Sequence, residues 1–181
     1  MNMENAKILK RDKLRIAIGE VVINFQFIEY ELSDILSVLL NMKEKEDKHR
    51  IFAAMSFRQK TDLVCDLYES RKKPSWKEPV KISEVRKALN TAEEFRNSVV
   101  HSFYYVSGSK KPVWMRSKYS IRTSTGLKVV DGVADISSIE KGAKSLLVIR
   151  EWYLGETEKL KEATKNLSGC TKRLSRKINV A

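Results

Sequence analysis

The sequence predicts an all-α protein, an antiparallel four-helix bundle with a β-hairpin inserted between its third and last long helices. Three observations predict it. Apolar residues recur at three- and four-residue steps through four long stretches of the 181-residue chain. One stretch, about 110–131, instead alternates apolar and polar residues. The composition, 42% hydrophobic and 32% charged, is that of a globular chain and excludes a disordered one. The length suits one well-buried domain and is short for two, so residues 1–181 are read as a single domain.

From about Lys7 to Met42, Ile18, Val21, Phe25, Ile28, Leu32, Ile35 and Leu39 keep helical spacing with no proline, which predicts one long helix. Gly19 weakens it locally and offers a place for a second helix to approach closely. Glu29 falls on the flank of the apolar stripe, where a carboxylate needs a partner; Arg96 is the expected one, with solvent as the alternative. Lys43 to Lys48 reads as a charged connection. A second helical region follows, interrupted near Ser56, which with Gln59 has the pattern of a capping box. Leu63, Val64 and Leu67 supply its core face. Pro74 and Pro79 then enclose a loop carrying Trp76, expected to cover the end of the helices rather than to stack on a base.

The third helix is expected from about Lys81 to Val106, with Leu89, Ala92, Phe95, Val99 and Phe103 as its apolar stripe. After Gly108, Val113, Met115, Tyr119 and Ile121 alternate with Arg116, Lys118, Ser120 and Arg122, and Leu127, Val129 and Val130 make a shorter second strand. The polar face of this hairpin, with Lys110, Lys111, Arg116, Lys118 and Arg122, can follow a phosphate backbone; an edge strand kept soluble by its charge is the equal alternative. Asp135 to Ser138 offer N-caps for a last helix through about Leu167, with Ile139, Ala143, Leu146, Leu147, Leu154 and Leu160 inward and Gly169 as its stop. A basic tail, about 168–181, follows.

Thirty-five Lys and Arg against 23 Asp and Glu give a net charge of +12, which favours polyanionic partners, RNA or DNA first, with an acidic protein partner as the alternative. No apolar run is long enough for a membrane span and no signal-peptide core opens the chain, so a cytoplasmic protein without a membrane partner is expected. Cys65 and Cys170 lack metal-ligand spacing; Cys65 reads as a core thiol, and no metal or other cofactor is expected. His49 sits in a charged segment and reads as solvated.

One constellation carries chemistry. In Arg96-Asn97-Ser98-Val99-Val100-His101, Asn97 and His101 are neighbours one helical turn apart and displaced from the apolar stripe. Arg96 at the stripe's flank is long enough to reach them. Tyr104 follows on the same face. A guanidinium can hold a phosphate in a fork, and an imidazole can take or give a proton near neutral pH.

This spacing resembles the Arg-x(4 to 6)-His motif of HEPN domains, including the polar residue after the arginine. The likeness extends to a long first helix with Phe27-Ile28-Glu29 and a second with Phe57-Arg58-Gln59-Lys60-Thr61. It implies a HEPN-like helical bundle and a metal-independent endoribonuclease of the kind found in toxin–antitoxin and antiphage defence systems. Arg96, His101 and Asn97 would be catalytic, with Glu29 and Tyr104 in support. It also implies a homodimer that brings two motifs to one cleft, and an antitoxin or other regulatory protein as a possible partner. Some HEPN toxins carry a tyrosine two residues after the histidine for modification by their antitoxin; here Phe103 stands there, which puts that mode of regulation in doubt. A catalytically silent module that binds nucleotide, RNA or a protein partner is the alternative.

Overall fold

A computed structural model describes residues 3–71, 80–108, 113–122, 126–151 and 157–175. Among them the chain order is α1 (Met3–Leu39), α2 (Lys45–Ala53), α3 (Phe57–Arg71), α4 (Ile82–Val100), β1 (Phe103–Ser107), β2 (Val113–Arg122), β3 (Gly126–Val133), α5 (Ile136–Arg150) and α6 (Thr157–Leu174). The protein is mostly helical and carries one small antiparallel sheet of three strands, β1-β2-β3. No described helix is long and apolar enough to cross a membrane.

Helix α1 is the axis of the packing and touches α3, α4 and α5. Leu14, Ala17, Val21, Phe25, Ile28, Leu32 and Leu36 are its buried line, with Ile18 and Ile35 packed at the margin. The helix begins earlier than expected and ends at Leu39, in a turn where Asn41 takes a φ of 53°. Gly19 meets nothing within 4 Å, so it is not a point of close approach. That role belongs to Gly142 of α5. A Cβ there would stand 2.0 Å from Cζ of the buried Phe95, so the missing side chain lets α5 rest against the ring.

The second helical region is interrupted where the sequence placed the break. Ser56 and Gln59 bond reciprocally, the Ser56 N–H to Gln59 Oε1 at 2.8 Å and the Gln59 N–H to Ser56 Oγ at 3.3 Å. The charged connection is shorter than expected, because α2 already begins at Lys45. In α3, Val64 and Cys65 are buried and Leu63 and Leu67 pack beside them; Phe57 meets Phe25 with ring centroids 4.5 Å apart. Trp76 lies outside the described residues.

Two expectations are corrected further along. The third long helix stops at Val100 rather than Val106, and Phe103–Ser107 is a strand that turns the expected hairpin into a three-stranded sheet. β-Branched and aromatic residues dominate 99–106, and they fit a pleated surface better than a helix once a neighbouring strand is present. Register pairs Phe103 with Ser117 and Ser117 in turn with Asp131, and Tyr104 with Arg116 and Arg116 in turn with Gly132. The single last helix is instead two, α5 and α6, and Gly169 lies inside α6 without ending it. Asp135 caps α5, its Oδ1 accepting from the Ser138 N–H at 3.1 Å. Ile139, Ala143, Leu146 and Leu160 are buried as expected, Leu147 is exposed, and Leu154 lies outside the described residues. Residues 168–174 of the expected basic tail belong to α6.

Cys65 and Cys170 are both buried and free; burial pushes the Cys65 thiol up to about 11. Packing at Gly142 is directly testable. Gly142→Ala drives a methyl into the Phe95 ring and is expected to lower stability in urea by roughly 1–3 kcal/mol, the usual cost of overfilling a core. Gly19→Ala has room for its methyl and is expected to raise stability by roughly 0.5–1 kcal/mol.

Candidate functional site

At the C-terminal end of α4 the last carbonyls have no helical partner and need donors from elsewhere. The sheet provides them. Lys118 Nζ on β2 donates to the carbonyl of Asn97 at 3.0 Å, Arg116 Nη1 to that of Ser98 at 2.6 Å, and the Tyr104 hydroxyl on β1 to that of Val99 at 3.0 Å. Ser102 Oγ also donates to Ser98, at 2.7 Å. Two of these donors are cations at the negative end of the helix dipole, where positive charge is favoured. His101 follows as the C-cap residue, and its side chain is exposed.

On this fixed helix end the expected motif assembles. Arg96 Nη1 donates to Asn97 Oδ1 at 2.8 Å and lies 3.3 Å from His101 Nε2. A guanidinium can only donate, so a hydrogen bond between them makes Nε2 the acceptor. The guanidinium carbon stands 5.3 Å from the centre of the buried Phe25 ring, which supports the arginine from below. No described carboxylate lies within ion-pair distance of Arg96.

Expected supporting residues divide. Glu29 does not pair with Arg96: Lys60 of α3 takes it, Nζ to Oε1 at 2.8 Å, with the lysine side chain buried. Arg96 was the expected partner and solvent the alternative; Lys60 reaches the carboxylate because α3 packs on α1. Tyr104 is not on the helical face with His101; it is on β1, and its hydroxyl holds the helix end. Burial pushes its pKa up to about 12.

The basic residues of the hairpin were expected to form one exposed face, and they do not act as a set. Arg116 is only 2% exposed. Its Nη1 also donates to Ser102 Oγ at 3.0 Å and its Nη2 to the Leu174 carbonyl, so one side chain ties the ends of α4 and α6 together. Burial lowers its pKa. It is a structural anchor and cannot reach a ligand. Lys118 is half-buried at the motif itself, with its pKa lowered by burial and by Arg116. Its place beside Asn97 was not foreseen, because the strand register that carries it there depends on β1. Lys110 and Lys111 lie outside the described residues, and Arg122 is placed only by its register with Gly126 at the end of β2. His49 is exposed, as expected.

Among the described residues no group of three or more His, Cys, Asp or Glu could hold a metal ion. A cleft of about 860 Å³ is bounded by Lys10, Lys13, Val113, Trp114, Val133 and Arg173 and includes none of the motif residues. No family model matches the chain, and neither does any curated protein or solved structure.

Two outcomes follow from the helix end. Arg116→Met keeps the aliphatic stem but removes the donors to Ser98 and Leu174; it is expected to cost roughly 2–4 kcal/mol in urea unfolding, since bonds to a charged donor are worth about 1.5–3 kcal/mol each. Tyr104 favours its protonated form in the fold, so the stability tied to it is complete below pH 10, the ordinary tyrosine value, and falls as pH rises through about 12. Tyr104→Phe should flatten that alkaline loss, and ultraviolet titration of phenolate should lose its highest-pH component.

Proposed function

We propose that this chain is a HEPN-like, metal-independent endoribonuclease. On this reading α1, α3, α4 and the α5–α6 pair are the arms of an antiparallel four-helix HEPN-like bundle, and the sheet is an insertion that caps the motif helix. One observation carries the proposal: an arginine with no described carboxylate partner, 3.3 Å from the Nε2 of an exposed histidine, at a helix end that a second cation, Lys118, also reaches.

Cutting RNA at a ribose phosphate needs a base for the 2′-hydroxyl proton, positive charge for the phosphorane-like transition state, and an acid for the departing oxygen. Arg96 supplies charge in a fork that cannot lose its proton. A phosphate oxygen that draws the guanidinium away from His101 frees the Nε2 lone pair for the 2′-hydroxyl. The 2′-oxygen then attacks the adjacent phosphorus, the bond to the 5′-oxygen breaks, and a second imidazole protonates the leaving oxygen. The products are a 2′,3′-cyclic phosphate and a 5′-hydroxyl. Asn97 accepts from Arg96 and holds it in place.

One histidine does not serve as base and acid in the same step, so a second copy of the chain completes the site. The same fact favours a second reading, a catalytically silent module that binds RNA or nucleotide through Arg96 and Lys118. Purified protein incubated with RNA in EDTA separates the two. The nuclease reading expects cleavage with cyclic phosphate ends, and a loss of about 100-fold or more in His101→Ala and in Arg96→Ala, the usual scale for removing a proton-transfer or charge-stabilising group. RNA binding without cleavage by the folded wild type supports the silent module instead.

A further inference from the structure

Helices α4 and α6 pack against each other and leave a groove of about 520 Å³ between them. The periodicity of α6 builds one wall. Leu160, Ala163, Leu167, Cys170 and Leu174 are buried, which turns Lys161, Lys165, Ser168 and Lys172, at steps of four, three and four residues, to an outer face that lines the groove. Lys87 and Thr91, one turn apart on α4, form the other wall, and Arg173 closes one end. Five cations thus line the groove against one carboxylate, Glu84. Lys161 pairs with Glu158 at 3.0 Å; no described carboxylate lies within ion-pair distance of Lys87, Lys165, Lys172 or Arg173. The rest of the lining, Thr91, Thr164, Asn166, Ser168 and Gly169, holds no aromatic and no large aliphatic side chain. Gly169 weakens the interior of α6 and is not required by packing, since a Cβ there would meet nothing within 4 Å. Its bare backbone leaves the floor of the groove open.

We propose that this groove is a nucleic-acid site, separate from the motif, that holds the phosphodiester backbone of a strand without reading its bases. Chemistry selects the occupant. Lysine ammoniums are point charges that neutralise phosphates without demanding one geometry, and they outnumber the single arginine four to one. The groove offers no ring on which a base could stack and no apolar pocket to anchor a peptide side chain or an acyl chain. From Lys161 to Lys172 the cationic wall runs roughly 16 Å, the rise of about five nucleotides along one strand. The positive surface continues past Asn166, where Lys141, Lys144 and Lys159 line a second hollow between α5 and α6. By contrast, the cleft beside Trp114 mixes Lys10, Lys13 and Arg173 with Asp135 and Glu140 over an apolar floor, so it favours no ligand of one charge. None of Arg96, Asn97 and His101 lines the groove; Arg96 leans on Phe25 of α1, whereas the groove lies where α4 meets α6. The site therefore stands whether or not the motif cuts.

Fluorescence anisotropy of short labelled single strands, in EDTA and across salt concentration, tests it. One strand is 2′-O-methyl RNA, which cannot attack through its 2′-oxygen, and the other is DNA of the same sequence. Lys87→Gln with Lys165→Gln and Lys172→Gln removes three exposed cations. Affinity for both strands is expected to fall tenfold or more, and the slope of log K against log salt to shrink by about 2, at roughly 0.7 per phosphate contact. Arg15→Gln with Lys43→Gln and Arg71→Gln makes the same change of net charge at exposed positions outside the groove and is expected to leave affinity within about threefold, the distance between a site and a general charge effect. Gly169→Gln fills the floor at constant charge and is expected to weaken binding threefold or more. A wild type that binds neither strand overturns the proposal. So does a control triple that loses as much as the groove triple, or a Gly169→Gln that binds as wild type. Loss confined to one of the two strands overturns the backbone reading, and polyglutamate that competes as well as nucleic acid assigns the groove to acidic protein instead. Binding lost in the groove triple but kept in His101→Ala supports the proposal even where no RNA is cut. Binding lost in Arg96→Ala and kept in the groove triple overturns it and leaves the motif as the place where RNA is held.

Discussion

The end of α4 is held by side chains from the sheet, and the candidate site depends on this. Lys118, Arg116 and Tyr104 meet three successive carbonyls, those of Asn97, Ser98 and Val99, which a helix end leaves without partners. Without these donors the last turn would have to solvate its own carbonyls, and the backbone that sets Arg96, Asn97 and His101 side by side would fray. The helix therefore does not position the motif alone. A short sheet of three strands, placed directly after it, fixes where it ends.

Arg116 shows how charge is used inside this molecule. A buried cation is costly unless its protons are satisfied, and here no described carboxylate does it; carbonyls of two helix ends and a serine hydroxyl do. The arrangement works because both carbonyls belong to C-terminal turns and carry partial negative charge. Glu29 and Lys60 solve the same difficulty by ordinary pairing. Arg96 differs from both: it sits over Phe25 and touches neutral side chains, Asn97 and His101. Neither Arg96 nor Arg116 pairs with a described carboxylate, but of the three cations only Arg96 faces an exposed imidazole.

Much of this was legible in the sequence, and what was not has physical causes. The helical stripe of α1, the Ser56–Gln59 box, the Asp135 cap and the grouping of Arg96, Asn97 and His101 are set by residues within about a turn of each other, so spacing alone found them. The strand at Phe103–Ser107 was missed because Phe103 continues the apolar spacing of α4. Only pairing with Val113 to Ser117, which no local pattern carries, decides for the strand. Arg116 and Lys118 were read as one exposed basic face because alternation along a strand says which residues share a side, not which side is covered. Glu29 was given the wrong partner for a related reason: its angle on α1 is set by the sequence, but which helix lies against that angle is a matter of tertiary packing. Gly142 carried no signal at all, since its need for a bare backbone comes from a ring about fifty residues away.

The two thiols offer a further use of the fold. Cys65 lies in α3 and Cys170 in α6, both shut from water on separate helices. A reagent that alkylates cysteine reaches neither until its own helix opens, and the raised pKa of each slows the reaction further, since the thiolate is the attacking form. The time course of labelling at each, resolved by peptide mass, thus becomes a native clock for two regions of the chain, with no probe introduced.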